Sequence, residues 1–212
     1  MSGWMSTAEY SKGAEISNVR AFDRWLDNFD AVFSGQVLPL FPPTARKSLA
    51  NGQVDLEAFR LEMNRSLVLN LFTVGLRHLF EQQAGWLSWV WLHRDSQRPV
   101  DELRDLLMRT SRVGRAGTLT SPIDITASPH WEPLEELRLV ANAVKHAEGD
   151  SSTKLRHHYP SYFRRPNARL IQPLGGFDVC VTKQDYDRMR MAVTNFWDWL
   201  ARELESKIDA ML

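Results

Sequence analysis

Apolar residues near the start of the chain recur at three- and four-residue steps, the spacing of one face of an α-helix. The pattern extends from about Thr7 to Phe33 and includes Ile16, Val19, Phe22, Trp25, Leu26, Phe29 and Val32. We therefore predict a first long helix here. The next stretch, from Gln36 to Gly52, holds Leu-Pro and Phe-Pro-Pro. Because proline has no backbone N–H and disfavours helical geometry before it, this stretch predicts an ordered connection.

A longer helical pattern begins at Asp55 and runs to His93, with Gly75 and Gly85 as its weak points. It predicts one long helix or two collinear helices. The segment is apolar on more than one side, both around Leu67 to Phe72 and at its three closely spaced tryptophans, Trp86, Trp89 and Trp91. A helix of this kind runs through the centre of a fold. Most of its aromatic residues are therefore expected in the core.

Two further helices are indicated in the second half of the chain. Pro133 and two glutamates open the first, which runs to Ala147 and has Gly149 just beyond it. The second runs from Thr182, its predicted N-cap, to Leu212. Its buried face should comprise Tyr186, Met189, Val193, Phe196, Trp197 and Leu200.

The remaining segments are predicted to be short or irregular. Pro99 suits the first turn of a short helix, and residues 114–130 are rich in Gly, Ser, Thr and Pro, as loops are. Residues 169–182 contain two short β-prone runs around a Gly-Gly pair, which predicts a small hairpin. The predicted fold is all-α: a single domain over residues 1–212, an antiparallel bundle of long helices with a small β-hairpin before the last helix.

Composition narrows the function classes. Lys plus Arg and Asp plus Glu are equal, at 26 each, so no global field draws the protein to nucleic acid or an anionic membrane, and such binding requires a local patch. One cysteine without ligand partners at zinc spacing argues against a disulfide framework or a structural metal site. With no apolar run of membrane-spanning or signal-peptide length, we expect a cytoplasmic protein without a membrane partner.

Arg138, Asn142 and His146 follow one another at four-residue steps on the predicted helix, beside an apolar stripe. They form a slanting row of a guanidinium, an amide and an imidazole, and such a row can converge on one phosphate. Imidazole titrates near neutral pH and can move a proton to or from a ribose hydroxyl. The structural alternative is a polar flank that caps its own helix and pairs with Glu135 or another nearby glutamate.

The stretch LRLVANAVKH, residues 137–146, resembles the signature helix of HEPN domains, all-α proteins of prokaryotic toxin and antiphage systems. In that family an Arg, followed closely by a polar residue, precedes a His with four to six intervening positions. Asn142 and His146 match the polar residue and the His, and Arg138 is the nearest candidate for the Arg. The family's Arg usually stands directly before the polar residue, where this chain has Ala141, so Arg138 is displaced by about one helical turn.

The resemblance implies a homodimer that brings two motifs together and cleaves RNA without metal or cofactor, leaving a cyclic phosphate and a 5′-hydroxyl. Arg138, Asn142 and His146 would be catalytic, and an antitoxin or another system component would be a partner. The alternative is a non-catalytic helical interaction protein that binds a phosphate or nucleotide through the same helix, or uses that helix only to stabilise a dimer.

Substrate contacts are predicted on the basic segment that follows this helix. Lys145, Arg156 and His157 are the candidates for holding RNA, within a run that contains Lys154, His158, Arg164, Arg165 and Arg169. Tyr159, Tyr162 and Phe163 are interleaved with these residues and suit base stacking. The alternative is a solvated, proline-bearing loop whose aromatic residues pin it to the bundle.

Overall fold

A computed structural model describes residues 7–43, 55–92, 125–147, 149–163 and 178–209 of the chain. Within these ranges the protein is all-α, as the sequence predicts. Helix α1 spans Thr7–Val32 and helix α2 spans Leu56–Leu92. The second is one continuous helix rather than two collinear ones. Between them, a π-turn at Phe33–Val37 leads into a 3-10 turn at Leu38–Leu40, which begins the predicted proline-rich connection.

Three more α-helices follow in the described part of the chain. Helix α3 spans Trp131–His146, α4 spans Asp150–His158, and α5 spans Lys183–Asp209. Short 3-10 turns lie at Ile125–Ala127 and Pro160–Tyr162. None of the helices in these ranges has the length and apolar run that crossing a membrane requires. The helix predicted after Pro99 falls outside the described residues.

Side-chain caps fix where α2 and α5 begin. The Asp55 carboxylate accepts hydrogen bonds from the backbone N–H groups of Glu57 and Ala58 at 3.1 and 3.0 Å. At α5, the Thr182 hydroxyl accepts from the Asp185 N–H at 3.1 Å, and the Asp185 carboxylate accepts from the Thr182 N–H at 3.0 Å. This reciprocal pair is a capping box with Asp in the acidic position. It confirms Thr182 as the N-cap.

The predicted hairpin before α5 lies mostly outside the described residues, which resume at residue 178. What is described there is an isolated antiparallel bridge between Phe163 and Val179. The buried Asn70 side chain holds this segment from α2: its amide donates to the Val179 carbonyl at 2.7 Å and accepts from the Val181 N–H at 3.1 Å. One side chain thus supplies the hydrogen bonds that a neighbouring strand would give.

The chain divides into two compact units, and α1, α2 and α5 each contribute residues to both. The first unit comprises Met1–Leu26, His78–Glu132 and Met191–Leu212. Its core includes Phe22, Phe80 and Trp197, whose indole donates to the buried Gln83 side chain at 2.8 Å. Gln83 in turn donates to the Phe22 carbonyl at 3.2 Å. A buried amide is satisfied on both sides in this way.

The second unit comprises Asp27–Arg77 and Pro133–Arg190. Its core contains Phe33, which stacks on Phe72 with ring centroids 4.2 Å apart and meets Tyr186 edge-on at 4.5 Å.

All six residues predicted for the buried face of α5 are buried. Trp197 is among them, whereas the side chains of Trp86, Trp89 and Trp91 lie outside the described residues.

The first part of the basic segment forms a helix, α4, and not the solvated loop that was the alternative prediction. Gly149, with φ 137°, turns the chain sharply after α3, and Ser152 and Leu155 then give α4 a buried face. A single apolar residue is too weak a periodic signal to predict such a short helix. The expected pinning by aromatic residues is confirmed further on, because Tyr162 and Phe163 are buried.

Candidate functional site at the end of helix α3

The three residues of the motif row lie on α3 in the second unit, and their exposure rises along the helix. The Arg138 side chain is 12% exposed, Asn142 is half-buried, and His146 is exposed. Lys145, next to His146 in the last turn, is exposed as well. The C-terminal end of a helix favours positive charge, so this position suits a lysine.

Arg138 is engaged by its own helix. Its Nε donates to Glu135 Oε2 at 2.7 Å, and its Nη2 donates to Glu135 Oε1. This two-pronged pairing fits the planar guanidinium to the carboxylate and neutralises its charge locally. It is the pairing that the structural alternative for this residue anticipates.

Asn142 and His146 are held less tightly. The Asn142 amide donates to the Ser151 hydroxyl at 3.4 Å, a long hydrogen bond to the first turn of α4. No described residue forms a hydrogen bond with the His146 imidazole. An imidazole that is exposed in the described part of the chain is accessible to a substrate, as a general acid or base must be.

A strained turn follows His146 directly. Ala147 has φ 58°, the left-handed region that non-glycine residues rarely adopt. Its N–H still bonds to the Ala143 carbonyl at 2.9 Å, and the Ser152 hydroxyl donates to its carbonyl at 2.6 Å. The end of α3 is therefore fixed by backbone and side-chain bonds on either side of the turn.

The predicted substrate contacts on α4 differ in their surroundings. The Arg156 guanidinium lies over the ring of the buried Phe163, 4.1 Å from its centroid, which is a cation–π contact within the protein. His157 is exposed, and so are Lys154 and His158. Arg164, Arg165 and Arg169 fall outside the described residues.

Sequence reasoning missed a buried polar cluster at the start of α3. The Glu136 side chain is 5% exposed and accepts hydrogen bonds from Tyr162 Oη at 2.7 Å and Arg188 Nη2 at 2.7 Å. Arg188 Nη2 also donates to Tyr162 Oη at 2.9 Å. The signal was present, since Glu136 stands three and four residues before the buried Leu139 and Val140 and so lies on an apolar face. A charge at such a position needs a partner.

The cluster raises the pKa values of Tyr162 and Arg188. Burial, and then the hydrogen bond to the Glu136 carboxylate, raise the pKa of the Tyr162 phenol well above its usual value. The hydrogen bonds to Glu136 also raise the pKa of the Arg188 guanidinium. The cluster is thus a neutral phenol beside a fixed ion pair, an arrangement that stabilises the fold rather than one that exchanges protons near neutral pH.

Among the described residues, no three His, Cys, Asp or Glu side chains are grouped so that they could hold a metal ion. Comparisons with protein-family models, with curated proteins and with solved structures find no match for this chain.

Proposed function

We propose that this protein is a metal-independent endoribonuclease in which His146 moves the proton. The observation that carries the proposal is the exposed imidazole at the end of α3, which has no hydrogen-bond partner among the described residues and has Asn142 one turn behind it. The similarity of residues 137–146 to the HEPN signature helix supports the same reaction. The displaced Arg138 is the departure from that pattern.

The reaction is a transfer within the RNA strand. An imidazole takes the proton of a ribose 2′-hydroxyl, the 2′-oxygen forms a bond to phosphorus, and the bond to the 5′-oxygen breaks. The leaving oxygen takes a proton, and the products are a cyclic phosphate and a 5′-hydroxyl. A homodimer, which the resemblance implies, supplies two imidazoles, one as base and one as acid. Lys145 adds positive charge beside the reacting phosphate.

The test is cleavage of end-labelled RNA by the purified chain in EDTA, comparing wild type with His146→Ala. We expect a loss of roughly 100- to 10,000-fold in rate, the usual contribution of a general acid or base. His78→Ala is the matched control, because His78 is also an exposed histidine on a helix and belongs to the first unit. Fragments from the wild type should end in cyclic phosphate.

A second candidate is a non-catalytic protein whose α3 binds a phosphate or nucleotide, or stabilises a dimer. The Arg138–Glu135 pair favours it, because a neutralised guanidinium is poorly placed to stabilise a transition state. Glu135→Gln and Arg138→Gln distinguish the two. If Arg138 acts in catalysis, releasing it by Glu135→Gln maintains or increases cleavage and Arg138→Gln reduces it. No cleavage of any RNA tested, by wild type or Glu135→Gln, supports the second candidate.

The proposed setting is a bacterial toxin or antiphage system, with an antitoxin or other component as partner. Expression of the chain in a bacterial host should then slow growth, and His146→Ala should relieve the effect without lowering the protein level. Equal growth inhibition by both forms would contradict an enzymatic toxin. Sedimentation of the purified chain tests the proposed homodimer.

A further inference from the structure

Helix α4 presents three exposed basic side chains on one face. Lys154, His157 and His158 stand at positions i, i+3 and i+4, which at about 100° per residue places them within an arc of roughly 100°. The buried side of the same helix is formed by Ser152 and Leu155. We call these three residues the α4 basic face.

The three side chains of the face are exposed and contribute nothing to the core in the described part of the chain. Its neighbours do the packing: Leu155 is buried, Ser152 bonds to the α3 turn, and Arg156 lies on Phe163. By contrast, none of the three basic residues forms an ion pair with a described carboxylate. Asp150, the acidic residue of α4, stands one turn before Lys154 and at the far end of the helix from His157 and His158. His157 and His158 stand in the last turn of α4, where positive charge is favourable, and Lys154 stands one turn before His158, so an anion can approach all three from one side.

Flat rings accompany the charge. The rings of His157 and His158 meet edge-on with centroids 4.8 Å apart, and Tyr159 lies 6.4 Å from His158. Rings beside cations suit a strand whose bases are unstacked, because bases in a duplex are covered by their neighbours. Lys154 and His158 stand four residues apart, a rise of about 6 Å along the helix axis, so the face can meet a short stretch of a strand's backbone.

We propose that the α4 basic face binds the backbone phosphates of single-stranded RNA and holds the strand that His146 cleaves. The inference rests on the proposed function for its substrate, but it concerns a different set of residues. It assigns the binding charge to Lys154, His157 and His158 and gives Arg156 a positioning contact with Phe163.

The test uses His146→Ala protein in EDTA, so that binding is measured without cleavage. The affinity for a fluorescent single-stranded RNA is followed by anisotropy over a range of salt, at about pH 6, where imidazole carries charge. For single strands the logarithm of affinity falls against the logarithm of salt with a slope of about 0.7 per neutralised phosphate. The triple variant Lys154→Gln/His157→Gln/His158→Gln should lower that slope by about 1 to 2. It should weaken binding more than about tenfold at low salt.

The matched control is Arg24→Gln/Arg60→Gln/His78→Gln, three exposed basic residues on α1 and α2. It removes at least as much charge, so an equal loss in both triple variants would show a general charge effect and overturn the inference. Circular dichroism confirms that the variants keep their helices. A blunt duplex of the same sequence should bind more weakly than the single strand, and equal binding would contradict the single-strand assignment.

Failure of this inference is distinguishable from failure of the proposed function. If the wild type cleaves RNA while the α4 triple variant keeps the affinity and salt slope, the α4 basic face is not the binding surface and the nuclease proposal stands. If binding depends on the α4 basic face but the wild type cleaves no RNA, the interface stands and the nuclease proposal fails.

Discussion

The two ends of helix α3 differ in what their polar side chains do. At its start, Glu136 is buried and bound by Tyr162 and Arg188, and two residues further on Arg138 is paired with Glu135. At its end, Lys145 and His146 are exposed, and the imidazole has no hydrogen-bond partner among the described residues. The polar side chains at the first end bind other parts of the protein and stabilise the helix, whereas those at the second end are accessible to another molecule.

Residues at one helical spacing are therefore not equivalent. Arg138, Asn142 and His146 occupy one slanting row, but they differ in their contacts. Arg138 forms a two-pronged ion pair and Asn142 one long hydrogen bond, whereas His146 has no hydrogen-bond partner among the described residues. Replacing the exposed residues removes few internal contacts, so site variants at the end of α3 should stay folded. Variants at its start should be the ones that unfold it.

The largest expected effect is that of Glu136→Ala. Removing the buried carboxylate leaves the Tyr162 hydroxyl and the Arg188 guanidinium without their shared acceptor. We expect the free energy of unfolding to fall by about 3 kcal/mol, the lower end for a broken buried pair, because Arg188 is 47% exposed and can turn to water. Urea denaturation measures the change.

Glu135→Ala is the control, because it removes the same atoms from the position of α3 directly before Glu136. Its pair with Arg138 is local to one helix, so we expect a loss of only about 0.5 kcal/mol. Equal losses for the two glutamates would show that the Glu136 cluster does not anchor α3.

A smaller effect than that of Glu136→Ala is expected from Tyr162→Phe. It removes the hydrogen bond that Tyr162 donates to Glu136 and the one that it accepts from Arg188, while Arg188 stays on Glu136. Near neutral pH it should cost about 2 kcal/mol. Folding raises the pKa of Tyr162. As pH rises, the phenol of Tyr162 therefore loses its proton in the unfolded chain, at about pH 10, before it does so in the folded protein. The stability from this group is therefore complete below about pH 10 and is lost as pH rises further.

The alkaline range sharpens that test. Burial, with a further contribution from Asp30, also raises the pKa of Tyr186, so the two phenols together should reduce stability by up to about 2.8 kcal/mol per pH unit. In Tyr162→Phe the decline should be close to half as steep. An unchanged slope would mean that Tyr162 ionises as easily in the folded protein as in the unfolded one.

The sequence was sufficient where the signal is periodic or local. The buried face of α5 and the Thr182 cap were predictable because amphipathic spacing and capping depend on residues within a few positions of each other. It was insufficient where the partner is distant. Asn70 bonds to the segment at Val179 to Val181, more than a hundred residues away, and no local pattern announces that contact.

The candidate site divides in the same way. Helical spacing alone places Arg138, Asn142 and His146 in one row, and the structure has that row on one helix. Which members are available could not be predicted, because the Arg138 partner is one of several nearby acids and the exposure of His146 depends on how the chain turns into α4. That turn depends on Gly149 and on an unusual conformation of Ala147.

The smallest effect is expected at that turn, from Ala147→Gly. A non-glycine residue in the left-handed region costs roughly 1–2 kcal/mol, and glycine avoids this cost but gains freedom in the unfolded chain. The balance predicts a stability gain of about 0.5 kcal/mol. Ala147→Val should have the opposite sign, since a branched side chain is strained further at φ 58°. If the glycine variant is more stable but cleaves RNA more slowly, the strained turn also positions His146; equal cleavage would show that the turn only ends the helix.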